Sequence, residues 1–217
     1  MCSDIFFSGV HLGGTLVGMR CAPDVLEQVA RDIYRAAHAD PCDPVSTPML
    51  AARVLGPGAV CVLPPSAILS YGELARSRGR WRIYVRSGTP VQLLGHVVGH
   101  ELAHWALRRE GLDSEAAADW LGAALVLPAP ACDRILRSPA DVAIVARTVV
   151  ATQTLVALRL GESGRARLAL VAPERVRVRG LDWTEDAARR AAMRPPPGVE
   201  VVRLTDDVRR VALAVRR

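Results

Sequence analysis

Apolar residues recur every three or four positions over most of the chain and every second position in a few short runs, which predicts helices interrupted by small strands. In "APDVLEQVARDIYRAAHA", Val25, Val29, Ile33 and Ala36 share a helical stripe, and Asp24 falls in the first turn, where the helix dipole favours a carboxylate. The proline-rich "DPCDPVSTP" leads to a short helix in "PMLAARVLG", stopped by glycine. "AVCVLPP" and "RWRIYVR" read as strands. In the second, Trp81, Ile83 and Val85 alternate with Arg82, Tyr84 and Arg86, giving one covered and one exposed face. Between them, the middle of "SAILSYGELARSRG" reads as a turn or a short helix.

Thr89 is placed to cap a helix whose first position is Pro90 and whose apolar residues are Leu93, Leu94, Val97, Val98, Leu102, Trp105 and Ala106. Gly111 and the "LDS" after it end this helix, and Ser114 is placed to cap the next, "EAAADWLGAALVL", which stops at Pro128. "SPADVAIVARTVVATQTLVALRLGE" predicts two short helices joined around Thr148 to Thr154, compatible with a helix-turn-helix-like pair. After Gly164 come the alternating "ARLALV" and "RVRVRG", a helical "TEDAARRAAM", then "RPPPG" and "VEVVRL". These predict a small αβ region with a hinge at Pro195 to Gly198. The expected organisation is an N-terminal extension (residues 1–23), a mainly helical α+β domain with a small sheet (24–163) that includes the helix pair, and a small αβ C-terminal region (164–217).

Composition narrows the class. Half of the 217 residues are hydrophobic and 23% are charged, as in a globular protein with a sizeable core. The net charge of +6 is carried by arginine, because the chain has no lysine; it has no asparagine either. Such absences point to a GC-rich coding bias, so arginine content alone says little about nucleic acid. Cys2, Cys21, Cys42, Cys61 and Cys132 show no CxxC spacing and are odd in number, which implies reduced thiols and a cytoplasmic location. No segment reaches the 18 consecutive apolar residues of a membrane span, and the apolar N-terminus lacks the basic region of a secretory signal.

The chemistry is concentrated in "GHVVGHELAHWALRREGLDSEAAADW". His100, Glu101 and His104 form an HExxH on a helical segment. Histidines at i and i+4 share a helical face and can reach one metal, while Glu101, about 100° round the helix, can contact a water beside it. A zinc hydrolase wants three protein ligands and one open position. Glu115, at the start of the next helix, is brought back by a helical hairpin as the third ligand. Asp119, one turn on, is placed to accept a hydrogen bond from a ligating imidazole. Asp113, in the loop, competes for the third position. His96 lies one turn before His100 and reads as a packing or hydrogen-bonding histidine. Tyr84 and Tyr71 are candidates to stabilise an oxyanion. The "WRIYVR" strand is a candidate edge for pairing with an extended peptide.

On these residues the chain resembles the ImmA/IrrE-like metallopeptidases, of the gluzincin type. The resemblance runs from about Asp24 to Gly161 and rests on "GRWRIYVRSGTP" leading into "VVGHELAHW", then on "SEAAADWLGAALVLP". It implies a zincin-like minimal fold holding one Zn2+ per chain. By the same resemblance His100, His104 and Glu115 would be ligands, Glu101 the base and Asp119 the orienting residue. The substrate it implies is a helix-turn-helix repressor whose cleavage derepresses a stress or mobile-element response. The chain departs from the family at Leu121-Gly122, where an aromatic-alanine pair is usual, and at Ala117-Ala118, where glutamate-alanine is usual. A reading from a different class is a non-catalytic DNA-binding or regulatory module, with Arg147, Arg159, Arg165 and Arg167 meeting phosphates.

Overall fold

The computed structural model describes residues 22–135, 141–162, 167–172, 175–179, 181, 183–205 and 210–216. Residues 1–21 of the expected extension, and Arg165, lie outside them. The fold is α+β. In order the elements are α1 (Pro23–Ala36), α2 (Thr47–Leu55), β1 (Val60–Leu63), β2 (Gly72–Ser77), β3 (Arg80–Arg86), α3 (Val91–Glu110), α4 (Glu115–Val126), α5 (Ala129–Ile135), α6 (Val142–Thr148), α7 (Gln153–Glu162), β4 (Arg167–Ala172), β5 (Arg175–Arg179), α8 (Glu185–Met193), β6 (Val199–Thr205) and β7 (Arg210–Arg216). Among the described residues no single helix is long and apolar enough to cross a membrane.

The chain divides into two compact units. One runs through Ala131 and takes in Arg147–Ala151; the other comprises Cys132–Ala146 and the residues from Thr152 onward. Helix α7 is therefore grouped with the C-terminal strands. The axes of α6 and α7 are bent by 113° at their junction, within the range of helix-turn-helix pairs.

In the first unit β1, β3 and β2 form a mixed sheet with β3 in the centre, parallel to β1 and antiparallel to β2. The segment expected as a turn or short helix is thus strand β2. Arg78 and Gly79, at φ of +48° and +78°, form a two-residue turn closing the Ser77–Arg80 pair, and this left-handed turn suits the twist of a hairpin. Pairing with β3, a non-local interaction, makes a strand of a sequence whose own alternation is poor.

Helix α1 buries Leu26, Ala30, Ile33 and Tyr34, whereas Val25 is 44% exposed and Ala36 also faces outward. The predicted stripe is thus rotated. Tyr34 sets the rotation, because its ring is fully buried and its hydroxyl donates to the Leu125 carbonyl at 2.9 Å, locking α1 onto α4. Burial also pushes the Tyr34 hydroxyl pKa well above its usual range. Helix α2 is tied to α3 where Thr47 Oγ1 donates to the Gly95 carbonyl at 2.6 Å.

Helix α3 is the centre of this unit. Its N-cap is Pro90, not Thr89; the Thr89 hydroxyl donates instead to the Arg86 carbonyl at 2.7 Å, closing the turn after β3. The helix ends at Gly111, at φ +68°, and α4 begins after Ser114, whose hydroxyl accepts from Ala117 N. This short loop folds α4 back against α3. The two helices then meet backbone to backbone: a Cβ on Gly122 would lie 2.8 Å from His100 N and 2.9 Å from its Cα, and one on Gly99 would lie 2.9 Å from the Gly122 carbonyl oxygen. The interaxial distance of packed helices depends on the side chains between them, and here there are none.

In the C-terminal unit the strands form an antiparallel sheet in the order β5-β4-β7-β6, with Ala169, Val171, Val176, Val178 and Val199 clustered with Ala188 of α8. Strand β7 and helix α5 were not expected from the sequence. The expected hinge at Pro195 to Gly198 is a tight turn between α8 and β6, where Val199 N donates to the Pro196 carbonyl at 3.1 Å and Gly198 sits at φ +76°.

The helix crossing gives a stability prediction. Gly122→Ala drives a methyl into the His100 backbone, which cannot yield as a side-chain end would. It is expected to cost about 1–3 kcal/mol in urea unfolding; unchanged stability would contradict the close crossing.

Candidate metal centre

His100 and His104 lie on successive turns of α3, their rings nearly perpendicular at 78° with centroids 4.7 Å apart. Their Nε2 atoms are 3.1 Å apart. Glu115, in the first turn of α4, presents Oε2 to His100 Nε2 and Oε1 to His104 Nε2, each at 3.4 Å. A tetrahedral ion with ligands at 2.0–2.1 Å has ligand atoms about 3.3 Å apart, a spacing that the two Nε2 atoms approach, with the Glu115 carboxylate set across both as a third donor. Glu115 is 74% exposed, against 18% for His100 and 9% for His104, which leaves the other side of the site to solvent.

The other imidazole nitrogens are committed. His100 Nδ1 donates to Asp119 Oδ1 at 2.8 Å, and His104 Nδ1 donates to Asp113 Oδ1 at 2.5 Å. With the Nδ1 protons directed to the two carboxylates, the Nε2 atoms face each other across 3.1 Å, an arrangement that either a shared proton or a metal ion satisfies. The donor set therefore fits a divalent metal. Around it Glu101, Asp113, Glu115 and Asp119 supply four carboxylates.

Asp113 is thus not the third ligand but the partner of His104. Its second oxygen accepts from Arg108 Nε at 2.9 Å, so Arg108, Asp113 and His104 form a chain that fixes the second imidazole. Burial raises the Asp113 pKa, but the hydrogen bonds from Arg108 and His104 outweigh it and hold the carboxyl below its usual range. For His100, burial acts downward and is outweighed by the Asp119 hydrogen bond and the charges of Asp119, Glu101 and Glu115, so its pKa is raised. Glu101 is raised mainly by burial, against the lowering influence of His100, His104 and the Leu74 backbone N–H.

His96, His100 and Asp119 form a second group of possible ligands. Its geometry is uneven, with Asp119 Oδ1 2.8 Å from His100 Nδ1 and 4.0 Å from His96 Nε2. Burial takes the His96 pKa down to about 4, against the pull of Asp119. Asp119 thus serves as the partner of His100, with His96 packed beside it.

Other expected residues are placed differently. Strand β3 has neighbours on both edges, so "WRIYVR" has no free edge for a peptide; the outer edge belongs to β2. Ile83 and Val85 are buried in the core shared with α3, so Tyr84, between them, points to the opposite face, away from Glu101. Tyr71 is likewise removed from the site, stacked under the Arg86 guanidinium at 4.5 Å on that same face. Both lose their expected role at an oxyanion. Of the arginines expected to meet phosphate, Arg159 is fully buried and paired with Glu162 at 3.1 Å, whereas Arg147 and Arg167 are exposed. Two participants escaped the sequence reading: Asp113 as partner of His104, signalled by its place just before a helix cap, and Gly72, a glycine opening a strand.

No protein-family model matches the chain, and no curated protein matches it. Among solved structures, a Mycobacterium tuberculosis transcriptional regulator is similar with a TM-score of 0.54 and 11% sequence identity, over 88% of this chain and 75% of that one. At that identity the likeness is one of fold.

The paired carboxylates give a second prediction. Asp113→Ala and Asp119→Ala are each expected to weaken metal binding 10–100-fold in competition with a chromophoric chelator. Wild-type affinity in both would show that neither carboxylate orients its histidine.

Proposed function

We propose that the chain is a zinc-dependent endopeptidase. The observation that carries this reading is the triangle of His100, His104 and Glu115 with Glu101 outside it: three possible ligands with an open side and a half-buried carboxylate whose charge is felt by both histidines. A closed structural site would use four protein ligands and leave no task for Glu101. Borderline-soft nitrogen and carboxylate donors in this geometry suit zinc, one ion per chain.

Zinc held there would supply Lewis-acid polarisation of the peptide carbonyl and lower the pKa of water to about 7. The chain's own part is proton transfer and positioning. Glu101 accepts a proton from the attacking water as its oxygen bonds to the carbonyl carbon. It then returns that proton to the amine as the C–N bond breaks. Burial, which raises the Glu101 pKa, suits a group that must both take and give a proton near neutrality. Asp113 and Asp119 keep the imidazoles in the tautomer that presents Nε2 to the metal. The outer edge of β2, beside Glu101, is where an extended substrate backbone would pair.

The substrate class follows from the resemblance to ImmA/IrrE-like peptidases: a helix-turn-helix repressor, cut to release a stress or mobile-element response, with any association with DNA passing through that repressor. Free thiols at Cys42, Cys61 and Cys132 accord with a cytoplasmic setting.

The test compares wild type with Glu101→Gln on the helix-turn-helix protein encoded beside the gene. One zinc in each protein is expected, with cleavage abolished by chelation and slowed 10²–10⁴-fold or so by the substitution. Equal cleavage by both, or no zinc in either, contradicts the reading; the latter outcome favours the regulatory module.

A further inference from the structure

The start of β2 approaches α3 so closely that a side chain there would collide with Val97 and press on Glu101. A Cβ on Gly72 would stand 2.6 Å from Val97 Cγ1 and 3.1 Å from both Cγ and Oε1 of Glu101. Gly72 is not among the glycines at positive φ, so backbone conformation does not demand a glycine here. Space does.

Two residues further along, the Leu74 backbone N–H lies near enough to the Glu101 carboxylate to favour its charged form. The strand ladder leaves that N–H available. Arg86 N donates to the Tyr71 carbonyl, and the hairpin closes at the Ser77–Arg80 pair. Hydrogen-bonded and non-hydrogen-bonded pairs alternate in an antiparallel ladder, so Glu73, Ala75 and Ser77 turn their backbone groups towards β3 while Gly72, Leu74 and Arg76 turn theirs outward. The sheet therefore has no use for the Leu74 N–H. Leu74 is itself partly buried against the core around Ile83, its cross-strand partner, which keeps the N–H in place.

We propose that Gly72 and the Leu74 N–H form a seat that positions the Glu101 carboxylate beside the histidines. The inference rests on the reading of Glu101 as the base. Both groups are positioning elements, acting through Glu101: one leaves the room and the other supplies the donor. Part of the edge of β2 is thereby devoted to the base, and an extended peptide along it meets the Leu74 N–H already engaged.

The test uses the zinc-loaded full chain in four forms besides wild type: Glu101→Ala, Gly72→Ala, Val97→Ala, and Gly72→Ala with Val97→Ala. The double variant removes the Val97 collision and keeps the tight 3.1 Å contact that displaces Glu101, so a folding defect is separated from a positioning defect. In amide NMR spectra the Leu74 proton is expected to move upfield in Glu101→Ala and in the double variant, as it loses a carboxylate acceptor. In cleavage assays the double variant is expected to lose about tenfold or more in kcat, with zinc content and KM kept, because a small misplacement of a reacting group is costly. Val97→Ala alone keeps the wild-type kcat. A Leu74 resonance unmoved in both Glu101→Ala and the double variant, or wild-type kcat in the double variant, would overturn the proposal. If the wild type cleaves nothing, the peptidase reading fails on its own, while the Leu74 resonance still decides whether the seat exists.

Discussion

The contact on which the rest depends is the crossing of α3 and α4 at Gly99 and Gly122. With no side chain between them, the Gly122 carbonyl lies under α3 and the Gly122 Cα lies against the backbone of His100. That closeness brings the first turn of α4 level with the histidines, so that Glu115 reaches both Nε2 atoms and Asp119 reaches the far nitrogen of His100. A bulkier pair at the crossing would part the helices and open the triangle. Gly122 thus falls on the packing that sets the site's geometry. Tyr34, bonded to the Leu125 carbonyl, and Thr47, bonded to the Gly95 carbonyl, fix α4 and α3 from behind.

Electrostatics makes the crossing consequential. Four carboxylates converge on two imidazoles, and one of the four, Asp113, is balanced by Arg108. Holding this much negative charge between packed helices carries an electrostatic cost that a divalent cation at the site would offset. The ligands and their supports come from two helices and one loop, all within residues 100–119. Glu101 is the exception, since it also meets Gly72 of a separate strand, and its place beside the histidines therefore depends on how β2 sits against α3.

That division also explains what could be read from the sequence. The grouping of His100, His104 and Glu115 was legible because it is local: i and i+4 on one helix, a glycine stop, a serine cap and a carboxylate in the next first turn. The α+β class and the boundaries of α2 and α4 followed from periodicity and caps in the same way. What escaped depends on partners distant in sequence. Strand β2 is "GELARS", with little alternation of its own, and becomes a strand because Arg78-Gly79 folds it onto β3. Tyr84 was on the correct side of its own alternation, but which face of β3 meets α3 is a tertiary fact. The predicted stripe of α1 left out Leu26 and Tyr34; the Tyr34 ring is buried because its hydroxyl is satisfied by a carbonyl of α4.

The most direct measurement is zinc K-edge X-ray absorption on the metal-loaded chain, with Glu101→Gln and Glu115→Gln alongside. The account predicts two imidazole nitrogens and low-atomic-number oxygen ligands at about 2.0–2.2 Å with no sulfur. The spectrum should be unchanged in Glu101→Gln and altered in Glu115→Gln. A sulfur scatterer, or a first shell that changes with Glu101 and ignores Glu115, would contradict it.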